Sequence, residues 1–272
     1  MADNVFFMVG AFRSGTTALA KILDSATNAT VFVEQPPKLS KEARELYDEK
    51  LENPRACIEE AKAGAIKSML DQGRHYGDKN ANYLPFIPHL AELWPCKFVF
   101  VVRDGRDVVR SLIDWQYVTD SRLYERDEDG DEYKHKRIED DYWDYSLVRP
   151  RPENPLSKQW RSLDKFAKFS WYWSEYNQVL LSHMHALSAS RYSVVDMTRV
   201  SIGDIESLFA FLQLDGFDSE NIDRMITGRI NQASDRGKVD ETFPPWSEWS
   251  NSQIEAFDQF AAPVMKELGY VT

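Results

Sequence analysis

The segment Gly10-Ala-Phe-Arg-Ser-Gly15-Thr-Thr17 constrains the fold most, because of what flanks it. The apolar run Val5 to Val9 stops at Gly10, and Thr16 to Leu23 reads as a helix. A strand, a glycine turn and a helix in that order form the setting in which successive backbone N–H groups and a helix N-terminus cradle an anion. In an open α/β sheet such a loop lies at the carboxyl end of its strand, where ligands bind.

The same rhythm continues along the chain. Thr30 to Val33 reads as a second strand, stopped by Pro36-Pro37, and Tyr192 to Val195 as another. Lys97 to Val102 is apolar enough to be buried on both faces, as in a parallel sheet. Helical stretches are expected at 41–51, 57–72, 84–93, 107–115, 166–187 and 252–268. Phe169, Trp173, Tyr176, Leu180 and Leu187 recur at helical spacing and read as a core-facing stripe. The alternation predicts an α/β fold, a single domain over residues 1–272 with a parallel sheet flanked by helices. At 43% hydrophobic content a chain of this length can bury a substantial core.

Charge narrows the function classes. A formal net charge of −11 argues against broad nucleic-acid binding, so an anionic ligand would need a local basic pocket. From Asp120 to Asp144 eleven acidic residues stand against five basic ones, and this stretch supplies six of the excess negative charges. No apolar run approaches the ~20 residues of a membrane-spanning helix, and residues 1–9 lack the basic and long apolar regions of a secretory signal. These features predict a cytoplasmic protein that does not engage membranes.

Cys57 and Cys96 suggest neither a disulfide framework nor a zinc site, and His75, His89, His135, His183 and His185 fall in no ligand spacing. No metal is expected.

The first loop has the glycine spacing of a Walker A motif, but Thr16 stands where a nucleotide triphosphatase places lysine. A cation comes earlier, at Arg13, whose planar fork suits a terminal oxyanion. The stretch Phe7-Met-Val-Gly-Ala-Phe-Arg-Ser-Gly-Thr-Thr17 resembles the phosphosulfate loop of sulfotransferases that use 3′-phosphoadenosine 5′-phosphosulfate (PAPS). Its Arg-Ser-Gly-Thr-Thr form is most similar to that of tyrosylprotein sulfotransferases and many bacterial members. The resemblance implies a P-loop-like sulfotransferase fold, with Arg13 on the transferring sulfuryl group and Ser14, Gly15, Thr16 and Thr17 around the 5′-phosphate.

A second motif strengthens the first. Arg103-Asp-Gly-Arg-Asp107-Val-Val-Arg-Ser111 follows the buried strand, and Arg103 and Ser111 can together grip a second phosphate. It is similar to the 3′-phosphate motif of the same family.

Glu34 ends the second strand, and a carboxylate there can take the proton of an acceptor hydroxyl as its oxygen bonds to sulfur. Tyrosylprotein and heparan sulfotransferases resemble this arrangement, which implies Glu34 as general base. His75 is the reserve. Asp78-Lys79-Asn80 followed by Tyr83 is similar to a stretch of the heparan branch, implying that Lys79 stabilises charge on the leaving oxygen. A Gly- and Lys-containing loop commonly closes over the nucleotide near the C-terminus of family members, which makes Ser234, Arg236 and Lys238 further candidates.

The resemblance covers residues 5 to about 116 well and the final quarter loosely. It implies transfer of a sulfuryl group from PAPS to a small acceptor, with 3′-phosphoadenosine 5′-phosphate (PAP) as product. Residues 117–165 are expected to form an acceptor-covering insertion. Their carboxylates and aromatic residues, among them Tyr124, Tyr142, Trp143 and Trp160, suit a cationic or neutral acceptor. Two other readings remain open. A P-loop kinase would need the missing loop lysine and an acidic metal ligand, whereas a nucleotide-binding protein without activity would need neither.

Overall fold

The computed structural model describes residues 4–119, 123–124, 138–228 and 242–270. It divides into two compact units, residues 1–103 with 179–231 and residues 104–178 with 232–272.

The first unit is built on a five-stranded, wholly parallel sheet: β1 (Val5–Val9), β2 (Ala29–Val33), β3 (His75–Lys79), β4 (Lys97–Val102) and β5 (Tyr192–Asp196). Their spatial order is β2-β3-β1-β4-β5, which puts the glycine loop after the central strand. Every residue of β1 is buried. Phe6 and Met8 join a cluster with Val99, Val101 and helix α1 (Thr16–Leu23), while Phe7 points the other way among Tyr76, Tyr83, Trp94 and Phe98. Each such side chain contributes about 1.5–3 kcal/mol on leaving water, so the centre of the sheet is held from both faces.

Between the strands run α2 (Ser40–Tyr47), α3 (Pro54–Asp71), a 3₁₀ turn at Ala81–Phe86 and α4 (Ile87–Leu93). The side chain of Asn53 accepts from the Ala56 N–H and Pro54 occupies the first turn, which together fix the start of α3.

The second unit contains α5 (Gly105–Thr119) and α6 (Ile138–Ser146). The long helix α7 (Lys165–Ala186) supplies residues to both units. After β5, α8 (Ile202–Leu212) and α9 (Ser219–Thr227) complete the first unit. The helix α10 (Asn251–Glu267) belongs to the second and starts at a capping box between Ser250 and Gln253.

The expected α/β class and parallel sheet are present. The sequence reading omitted β3, α8 and α9, and it placed the end of α2 four residues late, at Leu51 instead of Tyr47. His-Tyr-Gly-Asp-Lys carries no apolar alternation, yet β3 is fully buried and bonded on both sides, to β1 and to β2. Its Gly77 lies against the Phe6 ring, where any Cβ would collide with ring carbons. No described helix is long and apolar enough to cross a membrane.

Candidate active site

All five strands of the first unit end at one edge, and the candidate residues of that unit follow from their endings. Val9 leads into the glycine loop, Val33 into Glu34, and β3 ends on Lys79; Arg103 follows Val102. The register Val33↔Lys79 and Met8↔Lys79 puts Lys79 beside both neighbours.

The loop itself is made by backbone conformations that few residues accept. Arg13 has φ 67° and Gly15 φ 88°, and the Ser14 N–H donates to the Ala11 carbonyl at 3.1 Å. At Gly15 a side chain would be strained and would also press on Met197, about 3.1 Å from the position of a Cβ. Gly15 forms the N-cap of α1 without a side-chain cap. The first-turn N–H groups of a helix have no intrahelical acceptor, so this end suits an anion. Ser14 and Thr16 are buried and Arg13 and Thr17 half-buried. Arg103 donates from Nη1 to the Arg13 carbonyl at 3.2 Å, so the two arginines meet at the loop.

Glu34 adopts φ 54° immediately after β2. Its N–H donates to the Lys79 carbonyl at 2.8 Å, and Lys79 Nζ donates to its Oε1 at 2.7 Å. Lys38 Nζ stands 3.7 Å from Oε2. Lys79 is almost fully buried while Glu34 keeps partial access to solvent. The Asn80 N–H donates to the Met8 carbonyl at 3.1 Å, joining this pair to the strand that carries the loop.

Beneath Glu34 lies a polar network absent from the expectations. Asp78 and Lys62 are both inaccessible to solvent, with Nζ 3.4 Å from Oδ2. Asp78 also accepts from the hydroxyls of Tyr76 and Tyr83. Burial raises the pKa of Asp78, opposed by the Lys62 charge and these hydrogen bonds, and burial lowers that of Lys62, opposed by Asp78. The sequence held one signal for Lys62. It stands at i+4 from Ile58 and i−4 from Ile66, the buried face of α3, where a lysine needs a buried partner.

Asp104 and Arg106 hold each other through two parallel hydrogen bonds, Nε to Oδ1 at 3.0 Å and Nη2 to Oδ2 at 2.6 Å. The Arg106 guanidinium lies 4.4 Å from the centre of the Trp246 ring. Those two charges of the Arg-Asp-Gly-Arg-Asp motif are thus engaged in structure, while Arg103 faces the loop. Ser111 is half-buried on α5 in the second unit. Ser234, Arg236 and Lys238 lie outside the described residues. His75, the reserve base, opens β3 at the opposite end of that strand from Lys79, so Glu34 and not His75 lies at the sheet edge from which the loop leaves. Among the described residues no group of His, Cys, Asp and Glu could hold a metal ion.

The expected acceptor-covering insertion falls partly outside the described residues. Within it, Tyr124 and Trp160 are buried and meet edge to face at 5.2 Å, and the Tyr124 hydroxyl donates to the Val148 carbonyl at 2.8 Å. These two rings serve the core of the second unit.

A model of the family described as "Sulfotransferase family" matches residues 6–163, more than half of the chain. The chain belongs to this family. No curated protein sequence matches the sulfotransferase. Among solved structures its fold is similar to that of the sulfotransferase domain from the curacin biosynthetic pathway, at 15% identity and a TM-score of 0.51, covering 100% of this chain and 99% of that one. It is also similar to mouse sulfotransferase SULT7A1 complexed with PAP, at 13% identity and a TM-score of 0.50, covering 98% and 86%. Sulfotransferase STF9 from Mycobacterium avium matches at 12% identity and a TM-score of 0.50, covering 100% and 78%. At these identities the likeness is one of fold.

Proposed function

We propose that this sulfotransferase moves a sulfuryl group from PAPS to a hydroxyl or amine of a small acceptor, with Glu34 as general base. The observation that carries the reading is that the Glu34–Lys79 pair lies at the sheet edge where β1 leads into the Arg13 loop, joined to β1 through the Asn80 N–H on the Met8 carbonyl.

PAPS supplies a sulfuryl group joined to a 5′-phosphate that can leave with the bonding electron pair. The uncapped first turn of α1 and the side chains of Ser14, Thr16 and Thr17 suit that phosphate, and Arg13 suits the sulfuryl oxygens. Arg103 suits the 3′-phosphate, together with Ser111. Ser234, Arg236 and Lys238 are further candidates for the same nucleotide. Glu34 takes the acceptor proton as the new oxygen–sulfur bond forms. As the bond from sulfur to the 5′-phosphate oxygen breaks, the Lys79 ammonium balances the charge left on that oxygen. The loop has no lysine after its second glycine, which weighs against a triphosphate-hydrolysing or kinase reaction.

The acidic stretch 120–144 favours a neutral or cationic acceptor, since its charge would repel acidic polysaccharides. The test measures PAP release from PAPS with choline, its uncharged carbon isostere and a hydroxy-carboxylate. PAP affinity is measured by calorimetry with and without a chelator. Transfer to choline or its isostere, with chelator-independent PAP binding, supports the reading. Magnesium-dependent binding of ATP in preference to PAP, or a preference for the anionic acceptor, overturns the corresponding part.

A further inference from the structure

The segment that carries Glu34 is irregular, and its backbone is held almost wholly by side chains from elsewhere in the first unit. Lys62 Nζ donates to the carbonyls of Gln35 at 2.7 Å and Pro37 at 3.2 Å, reaching up from α3. Asn80 and Asn82 both donate to the Lys38 carbonyl, at 2.9 and 3.2 Å. The Gln35 N–H donates to Asp78 Oδ1 at 3.4 Å, and the Gln35 side-chain amide hydrogen-bonds with the Tyr76 hydroxyl at 2.7 Å. Asp78 and Lys79 are successive strand residues and point to opposite faces of β3. One meets the base itself and the other the mounting of its loop.

We infer that the buried Lys62–Asp78 pair is a positioning device for Glu34, setting where the carboxylate stands by clamping residues 35–37 from below. Two features favour this over a purely structural pair. An ion pair with both partners inaccessible is a weak source of stability compared with apolar residues of similar size. Three further hydrogen bonds of the pair go to the loop that follows the base, from Lys62 to the Gln35 and Pro37 carbonyls and to Asp78 from the Gln35 N–H. The Lys62 ammonium has three N–H groups and faces three oxygens, Asp78 Oδ2 as ion-pair partner and the Gln35 and Pro37 carbonyls as hydrogen-bond acceptors. Lys79 holds the carboxylate itself, whereas Lys62 holds the backbone that follows it, and a displacement of about 1 Å at a reacting group can cost on the order of a hundredfold in rate.

The inference rests on Glu34 as the base, and the experiment separates the two. Wild type, Glu34→Gln, the pair variant Lys62→Met/Asp78→Asn and the triple variant are compared for PAP release from PAPS with the same acceptors. PAP affinity and melting temperature are measured alongside. The pair variant leaves no unpaired buried charge. It is expected to bind PAP within about twofold of wild type, with KM for PAPS little changed, and to lose about 10- to 100-fold in kcat. Adding it to Glu34→Gln should cost little more, because it acts through that carboxylate.

A folded pair variant with wild-type kcat, while Glu34→Gln is impaired, overturns the positioning role and leaves the base in place. Losses that multiply in the triple variant overturn it too. Wild-type turnover in Glu34→Gln, or no PAP release by the wild type with any acceptor, overturns the base and this inference together. If the pair variant does not fold, Tyr76→Phe decides. It keeps the ring and removes the hydroxyl that joins Gln35 to Asp78. It should lower kcat several-fold at unchanged PAP affinity, and wild-type kcat in it overturns the inference.

Discussion

Lys79 Nζ lies 2.7 Å from Glu34 Oε1, and the same two residues are joined through their backbones, with the Glu34 N–H on the Lys79 carbonyl at 2.8 Å. The pair therefore has a fixed geometry at the end of adjacent parallel strands, next to the strand that launches the glycine loop. In the proposed reaction this sets a proton acceptor and a positive charge side by side.

Glu34→Gln and Arg103→Ala should fail in different ways. The amide keeps the shape and removes the proposed base, so turnover should fall by about 10²–10⁴ while PAP affinity stays within about twofold. Arg103→Ala removes the charge proposed to meet the 3′-phosphate and should weaken PAP binding by about 10- to 100-fold. Calorimetry with PAP and steady-state turnover, run on both variants, check the split.

Gly15→Ala should damage the loop before it damages the fold. The left-handed φ of 88° costs an alanine about 1–2 kcal/mol, and its Cβ would press on Met197. The expected outcome is PAP affinity reduced by tenfold or more, with a melting temperature a few degrees lower. Isothermal titration and thermal unfolding report the two effects separately.

Lys62→Ala should be among the most destabilising substitutions in the chain. It strands the inaccessible Asp78 carboxylate and the Gln35 and Pro37 carbonyls, and removing one partner of a buried pair costs about 3–5 kcal/mol. Urea unfolding of Lys62→Ala and of Lys62→Met/Asp78→Asn should show the single variant to be the less stable.

Stability should also fall on acidification below neutrality. Burial lowers the pKa of His75, reinforced by Lys97 and opposed by Asp215, and burial lowers that of His183. In the unfolded chain both protonate near about 6.5. Between that value and their depressed folded values the unfolded state binds more protons, so stability present above about pH 6.5 is lost as pH falls through the folded values. Urea midpoints between pH 7.5 and 5.5 should decline in the wild type and less steeply in His75→Asn and His183→Asn.

The sequence by itself determined the parts of this protein whose signals are local. The apolar run, glycine turn and helix from Val5 to Leu23 define a strand–loop–helix unit within about twenty residues. The continuous apolar strand from Lys97 to Val102 likewise led straight to Arg103. Glu34 was legible as the residue that ends the second strand, and Lys79 only through the likeness of its stretch to a family motif. Only the tertiary structure decided that they touch, because the contact spans 45 positions and depends on β3 lying between β2 and β1. β3 itself was hidden, since His-Tyr-Gly-Asp-Lys has no apolar period and becomes a strand through hydrogen bonds to both neighbours. The Lys62–Asp78 pairing was hidden too, although the spacing from Ile58 and Ile66 marked the Lys62 position. A charged residue reads as solvent-facing until the fold supplies a partner, and here the partners came from a helix, a strand and a loop distant in the chain.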